Sequence, residues 1–180
     1  MNIRVIGGKY GGQKIAAPPG RRTHPMSERV RNALFNSLTG QIEDAEVLDV
    51  FAGTGAVGLE ALSRGARSVT FVDKDRTAQR YLARNIATIG VEDQATVIRT
   101  TVANWLGTKN PKLYDIIFAD PPYYDVQFST VDRIFDLLKP GGCMVLSHPG
   151  RDEVPTKDGV VVVANRSYGN AHLTYYRKDT

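Results

Sequence analysis

From about residue 45 onward, hydrophobic and polar residues alternate in two rhythms. Short apolar runs bounded by glycine, aspartate or proline are followed by longer stretches in which apolar positions recur every three or four residues. The runs Val47–Phe51, Ser68–Val72, Ala95–Ile98, Tyr114–Ala119 and Cys143–Ser147 read as buried strands. Between them, Ala56–Arg64, a stretch capped by Asp75 and running to Ile89, Val102–Leu106 and Phe128–Leu138 read as helices. Gly65, Gly90 and Pro140-Gly141-Gly142 supply stop signals. Val160–Ala164 and Leu173–Tyr176 have no helix between them, so they predict an antiparallel hairpin at one edge, joined by Asn165–Ala171. Upstream, Ile3–Ile6 and Gln13–Ala16 flank Gly-Gly-Lys-Tyr-Gly-Gly and predict a separate hairpin. Ala17–Pro25 is irregular. Ser27 caps a helix marked by Val30, Ala33, Leu34 and Leu38 and ended by Gly40.

Strands alternating with helices predict an α/β, Rossmann-like fold. A mostly parallel seven-stranded sheet carries helices on both faces, with an N-terminal β-hairpin and helix as an extension. The expected division is 1–40 for the extension and 41–180 for the core. In such a sheet ligands bind at the C-terminal ends of the strands, near the point where strand order reverses.

The turn after the first core strand carries the first chemistry. Gly53-Thr54-Gly55 joins Val47–Phe51 to the helix at Ala56, and glycine lets backbone approach a ligand closely. Read literally, Gly53 to Gly58 is also a dinucleotide fingerprint. Asp73 ends the second strand, where a carboxylate can accept hydrogen bonds from both ribose hydroxyls; a plain turn former is the alternative. Asp49 separates the ligands. Beside the turn it repels a pyrophosphate and attracts a ligand with an ammonium and a sulfonium, such as S-adenosylmethionine. It could also serve only to tie backbone amides of the turn.

Asp120-Pro121-Pro122-Tyr123 follows the fourth strand. Two prolines remove two N–H donors, which leaves the Asp120 carboxylate and the Pro121 carbonyl as acceptors. Two acceptors suit the two hydrogens of an amine on an aromatic ring and would turn its lone pair toward a methyl donor. Tyr123 offers a face for base stacking, and Tyr124 stands beside it.

Charge adds a partner. The chain carries a net +4, but residues 1–31 hold Arg4, Lys9, Lys14, Arg21, Arg22, Arg29 and Arg31 against Glu28 alone. A basic arm on a near-neutral core is the footprint of a polyanion binder. Arg29 and Arg31 lie two apart on a helix and cannot both face one way. Cys143 is the single cysteine and sits in a core strand; His24, His148 and His172 have no metal-ligand spacing, so no metal is expected. No apolar run reaches membrane length, the N-terminus lacks a signal-peptide pattern, and a cytoplasmic monomer is expected.

Val-Leu-Asp-Val-Phe-Ala-Gly-Thr-Gly, Phe-Val-Asp-Lys-Asp and Asp-Pro-Pro-Tyr, in this order, resemble class I S-adenosylmethionine-dependent methyltransferases acting on exocyclic amino groups. The opening RVIGGKYGGQKI, the helix THPMSERVRNALFNSL, GLEALSRGA and YGNAHLTYYRK extend the likeness over nearly the whole chain. They resemble the bacterial 16S rRNA guanine-N2 methyltransferases of the small ribosomal subunit. His24, Met26, Glu28 and Asn32 stand where that family more often has Arg, Thr, Asp and Glu, and Thr101 where it often has Asp or Asn.

The resemblance implies that Asp49, Phe51, Gly53, Gly55, Asp73 and Asp120 hold S-adenosylmethionine; at its adenine, the Val102 backbone amide and the Thr101 hydroxyl are expected to stand in for the family's Asp or Asn. It also implies that Asp120, Pro121 and Tyr123 act on the guanine, while Lys9, Lys14, Arg21, Arg22, Arg29 and Arg31 dock 16S rRNA. The competing readings are a DNA adenine-N6 methyltransferase, an NAD-dependent oxidoreductase and an RNA-binding module without catalysis.

Overall fold

A computed structural model describes residues 2–19, 26–108 and 112–180. The extension begins with β1 (Asn2–Arg4) and β2 (Lys14–Ala16), an antiparallel pair that forms its own two-stranded sheet. Helix α1 (Glu28–Ser37) follows, and Ser27 caps it by accepting the Val30 N–H at 3.2 Å. The core then runs β3 (Glu46–Val50), α2 (Ala56–Ser63), β4 (Ser68–Asp73), α3 (Arg76–Ile89), β5 (Ala95–Arg99), α4 (Val102–Leu106), β6 (Tyr114–Ala119) and α5 (Phe128–Ile134). It closes with β7 (Leu138–His148), β8 (Val160–Tyr168) and β9 (Ala171–Lys178).

The seven core strands lie in the order β5-β4-β3-β6-β7-β9-β8. The first five are parallel to one another, and β9 is antiparallel to both β7 and β8. Strand order reverses between β3 and β6, so a crevice opens there at the strands' C-terminal ends. Alternate residues feed two apolar layers. Val47, Phe71, Phe118 and Val145 pack with α1, α2 and α3 on one face, while Leu48, Val72, Ile117 and Met144 pack with α4 and α5 on the other. Val5 and Ile15 of the extension join the first layer, so the hairpin is packed onto the same core as α2 and α3.

Several boundaries differ from the sequence expectation for physical reasons. Strand β3 stops at Val50 because Phe51 takes φ +59°, which no strand accommodates. Helix α5 gives way at Phe135–Leu137 to a tight 3₁₀ turn, and Pro140-Gly141-Gly142 lies inside β7 as an irregularity. Its register with β6 jumps from Tyr114↔Leu138 to Ile116↔Cys143. The final hairpin is longer than its apolar cores suggested: Asn165, Arg166 and Ser167 are strand residues of the edge β8, where polar side chains are tolerated.

Candidate active site

Val50, Asp73, Arg99 and Ala119 end β3, β4, β5 and β6 along one edge. The residues singled out in the core sequence lie at or just beyond those ends.

The turn after β3 is built by strain and hydrogen bonds together. Phe51 sits in the left-handed region, a costly conformation for an aromatic residue. The Ala52 N–H donates to Val72 O at 3.1 Å, and the Gly53 N–H to Asp73 Oδ2 at 2.8 Å. Asp73 Oδ1 accepts the Asp75 N–H at 2.8 Å. Asp73 is therefore a turn former, and each of its oxygens keeps a second lone pair for a ligand. Gly55 precedes α2 at φ +90°, where a Cβ would lie 2.4 Å from Leu82 Cδ1. Gly53 has φ +56° and nothing within 4 Å of a Cβ position, so its flank is open space.

Asp49 is 2% exposed, and its Oδ2 accepts the Gly58 N–H of α2 at 3.0 Å. Burial pushes its carboxyl well above the usual range. The Gly58 N–H opposes this, and the negative charges of Asp120 and Asp73 add to it. Asp49 thus feels the carboxyls at two neighbouring strand ends, an arrangement that a cation relieves.

The turn after β6 is different. The Asp120 N–H reaches Val50 O at 3.5 Å, which keeps it beside β3. Its carboxyl is only partly exposed, and burial pushes it up to about 7 against the pull of the Ser147 hydroxyl. Pro121 is buried, and the Asp125 N–H closes the turn on Pro122 O at 2.9 Å. The Tyr123 hydroxyl lies 2.7 Å from Ser147 Oγ, so its ring is held by β7 rather than free. Burial raises the Tyr123 phenol, the Ser147 hydroxyl opposes this, and Asp120 adds to it. Tyr124 is 88% exposed next to it, and Arg151 Nη2 donates to Tyr123 O at 3.1 Å.

Thr101 caps α4 through Oγ1, which accepts the Asn104 N–H at 3.1 Å, and Val102 is buried in the first turn. Both follow β5 at the same edge. Trp105 belongs to α4 and packs on the second apolar layer.

Two side chains at this site carried no separate signal in the sequence reading. Ser147 is the penultimate residue of β7 and serves both Asp120 and Tyr123; a polar residue following the apolar run Cys143–Leu146 is the clue it offered. Asn85 of α3 is 1% exposed and donates through Nδ2 to Thr54 O at 3.0 Å. It also pairs with both the N–H and the C=O of Ala16 at 2.8 Å. One buried amide thus ties the extension to the glycine turn.

The basic candidates separate into groups. Arg21 and Arg22 lie outside the described residues, as does His24. Lys9 and Lys14 are exposed. The Lys9 N–H donates to Ser63 O at 2.8 Å, at the end of α2 remote from the glycine turn, about 12 Å along the helix. Arg29 is exposed on the first turn of α1.

Arg31 corrects the expectation of an RNA contact. It is 0% exposed, donates to the carbonyls of Arg4 and Met26, and has Nε 3.4 Å from Glu60 Oε1. Burial lowers its guanidinium pKa, with Glu60 and Glu28 opposing. Glu60, itself buried, also accepts the N–H groups of Ile6 and Gly7 at 2.9 and 3.0 Å and pairs with Arg64. Arg31 is a structural tie of the hairpin to α2, and no phosphate can reach it.

Cys143 is buried in β7, with its thiol pushed up to about 11 by burial. Among the described residues no group of three or more His, Cys, Asp or Glu is placed to hold a metal ion. No helix among them is long and apolar enough to cross a membrane.

The sheet order, the strained glycine turn and the acidic strand ends around one crevice define the class I methyltransferase fold. The chain belongs to the family described as Conserved hypothetical protein 95, whose model matches residues 3–177. Ribosomal RNA small subunit methyltransferase D of Escherichia coli strain K12 is 41% identical over 140 residues, covering 78% of this chain and 68% of that protein. The protein of the same name from Haemophilus influenzae is 36% identical over 138 residues, covering 76% and 70%. The solved structure of yhhF from Escherichia coli superposes with a TM-score of 0.89 at 32% identity over 99% of both chains.

Proposed function

We propose that the protein transfers a methyl group from S-adenosylmethionine to the exocyclic N2 of a guanine in 16S rRNA of the small ribosomal subunit. The observation that carries this reading is Asp120. It is a carboxyl with a pKa near 7, set beside a proline carbonyl and one strand away from a glycine turn bordered by Asp49 and Asp73. The names of the relatives supply the substrate class: small-subunit ribosomal RNA.

The residues fit the donor. Open space at Gly53 leaves room for a ligand against the turn, and the second lone pairs of Asp73 suit ribose hydroxyls. The charges of Asp73 and Asp120 that bear on Asp49 favour a positively charged ligand. Phe51, Thr101 and Val102 border the same edge and complete the proposed donor site. S-adenosylmethionine would supply an electrophilic methyl group there.

The chain's own work is then positioning. Asp120 and the Pro121 carbonyl accept the two amine hydrogens of guanine, which leaves the N2 lone pair directed at the methyl carbon. Tyr123, fixed by Ser147, bounds the base. With S-adenosylmethionine bound, methyl transfer to N2 would leave an extra proton on the amine, which Asp120 or water would take up after transfer, so Asp120 need not be a strong base. The target guanine must be unpaired or turned out of its stack, because N2 is inaccessible to the turn inside a helix.

Incubation with unmodified small subunits and with duplex DNA, followed by counting of transferred methyl groups, tests the reading. Transfer to small-subunit RNA is expected. Transfer to DNA alone would replace it with the adenine-N6 reading.

A further inference from the structure

We infer that the tip of the β8–β9 hairpin, through Arg166 and Tyr168, joins Arg29 of α1 in a second RNA-contact surface at the rim of the crevice. This rests on the RNA-methylating function proposed above. The surface would take the ribose-phosphate backbone beside the target guanine.

Position is the first support. Strand β7 ends at Ser147 and His148, and Ser147 is the partner of Tyr123. Ser147 lies opposite Leu173 of β9, which lies opposite Arg166 of β8. Directly opposed residues leave the same face of a sheet, so Arg166 shares a face with Ser147, its backbone about 10 Å away across two strand spacings and its side chain bordering the groove by Ser37 of α1 and Tyr175 of β9. Tyr168 is two residues further toward the tip on that face.

The tip is also held in place. Ser167 Oγ lies 3.0 Å from His172 Nδ1, and the His148 and His172 rings stack at 5.7 Å. The Arg29 guanidinium stands over the Tyr168 ring, 5.9 Å from its centroid. That contact makes the first turn of α1 and the hairpin tip one continuous surface.

Charge is the second support. Arg4, Arg31, Arg64 and Arg67 each pair with a carboxylate. Arg29 and Arg166 are exposed, and neither has an acidic partner within ion-pair distance among the described residues. A guanidinium with no carboxylate partner is suited to a phosphate. Lys9 is docked at the far end of α2 and Arg31 is buried, so neither covers this rim.

The test uses the full chain and a labelled small-subunit RNA fragment, with binding measured over a series of salt concentrations. Arg166→Ala should weaken binding and lower the slope of log affinity against log salt by about one, and the double variant with Arg29→Ala by about two. Arg166→Gln should repeat the single loss. Melting temperature and S-adenosylmethionine affinity should stay at wild-type values.

A wild-type slope in both Arg166 variants overturns the inference while leaving the function intact, provided the wild-type protein methylates the RNA. Equal losses in RNA binding and melting temperature also overturn it, since they mark a structural role. A wild-type protein that neither binds nor methylates the RNA overturns the proposed function, and this inference with it.

Discussion

The two turns that meet over the crevice are built in opposite ways. After β3, the carboxyls are already engaged by the protein: Asp49 holds Gly58, Asp73 holds Gly53 and Asp75, and Thr54 O is held by Asn85. After β6, prolines remove donors and leave the Asp120 carboxyl with the Ser147 hydroxyl as its neighbour. The first turn is preorganised and its carboxyls double as structure. The second leaves acceptors open for something that arrives. A donor that must be held in one place and an acceptor base that must be admitted and released call for that difference.

The largest effect should come from the open turn. Asp120→Ala is expected to lower kcat by about 10²–10³-fold, the scale of one lost electrostatic contact at a reacting centre. Cofactor affinity by calorimetry should fall only a few-fold. A matching collapse of both would merge the two turns into one site and end the contrast.

The glycine turn should respond in stability and affinity instead. Gly55→Ala forces a Cβ to 2.4 Å from Leu82 Cδ1 at φ +90° and should cost about 1–3 kcal/mol of unfolding free energy in denaturant titration. Gly53→Ala meets no atom, so its stability cost should stay near the roughly 1 kcal/mol of a left-handed residue, while cofactor affinity drops more than in Gly55→Ala per unit of stability lost. The reverse ranking would mean that the open flank of Gly53 holds no ligand.

Asp49→Asn keeps an acceptor for Gly58 and removes the charge. Roughly tenfold weaker binding of S-adenosylmethionine is expected, because a charge beside the ligand is lost. Unchanged affinity would reduce Asp49 to a tie for α2.

The smallest effect is a shift in pH profile. Asp120 has its carboxyl raised to about 7 by burial, so the carboxylate that accepts the amine hydrogens is populated above that pH. Activity should rise with pH and level off beyond about 7. The Ser147 hydroxyl lowers that pKa, so Ser147→Ala should move the inflection to higher pH. A profile that falls through pH 7, or that ignores Ser147→Ala, would place the titrating group elsewhere.

Much of this was legible in the sequence, and the parts that were not share a cause. The parallel core follows from apolar runs that alternate with helical stretches, because both faces of the sheet are buried. The acidic strand ends and the proline turn could be placed because they follow those runs directly. Arg29 and Arg31 could be separated by spacing but not assigned, because the partner that buries Arg31 is Glu60, brought in from α2 by the fold. Asn85 and Ser147 were missed for the same reason: their partners are Ala16 and Thr54 in one case and Asp120 and Tyr123 in the other, all distant in the chain. The tail of β8 was hidden by its polar composition, which an edge strand permits and a central one does not.

The most direct measurement is identification of the methylated nucleotide. Small subunits lacking the modification are incubated with wild-type protein and S-adenosylmethionine, and the digested RNA is analysed by mass spectrometry. A single N2-methylguanine in 16S rRNA, lost with Asp120→Ala, is the expected result. Methyl groups on adenine N6, or on no nucleotide of the small subunit, would contradict the assignment of the open turn to a guanine amine.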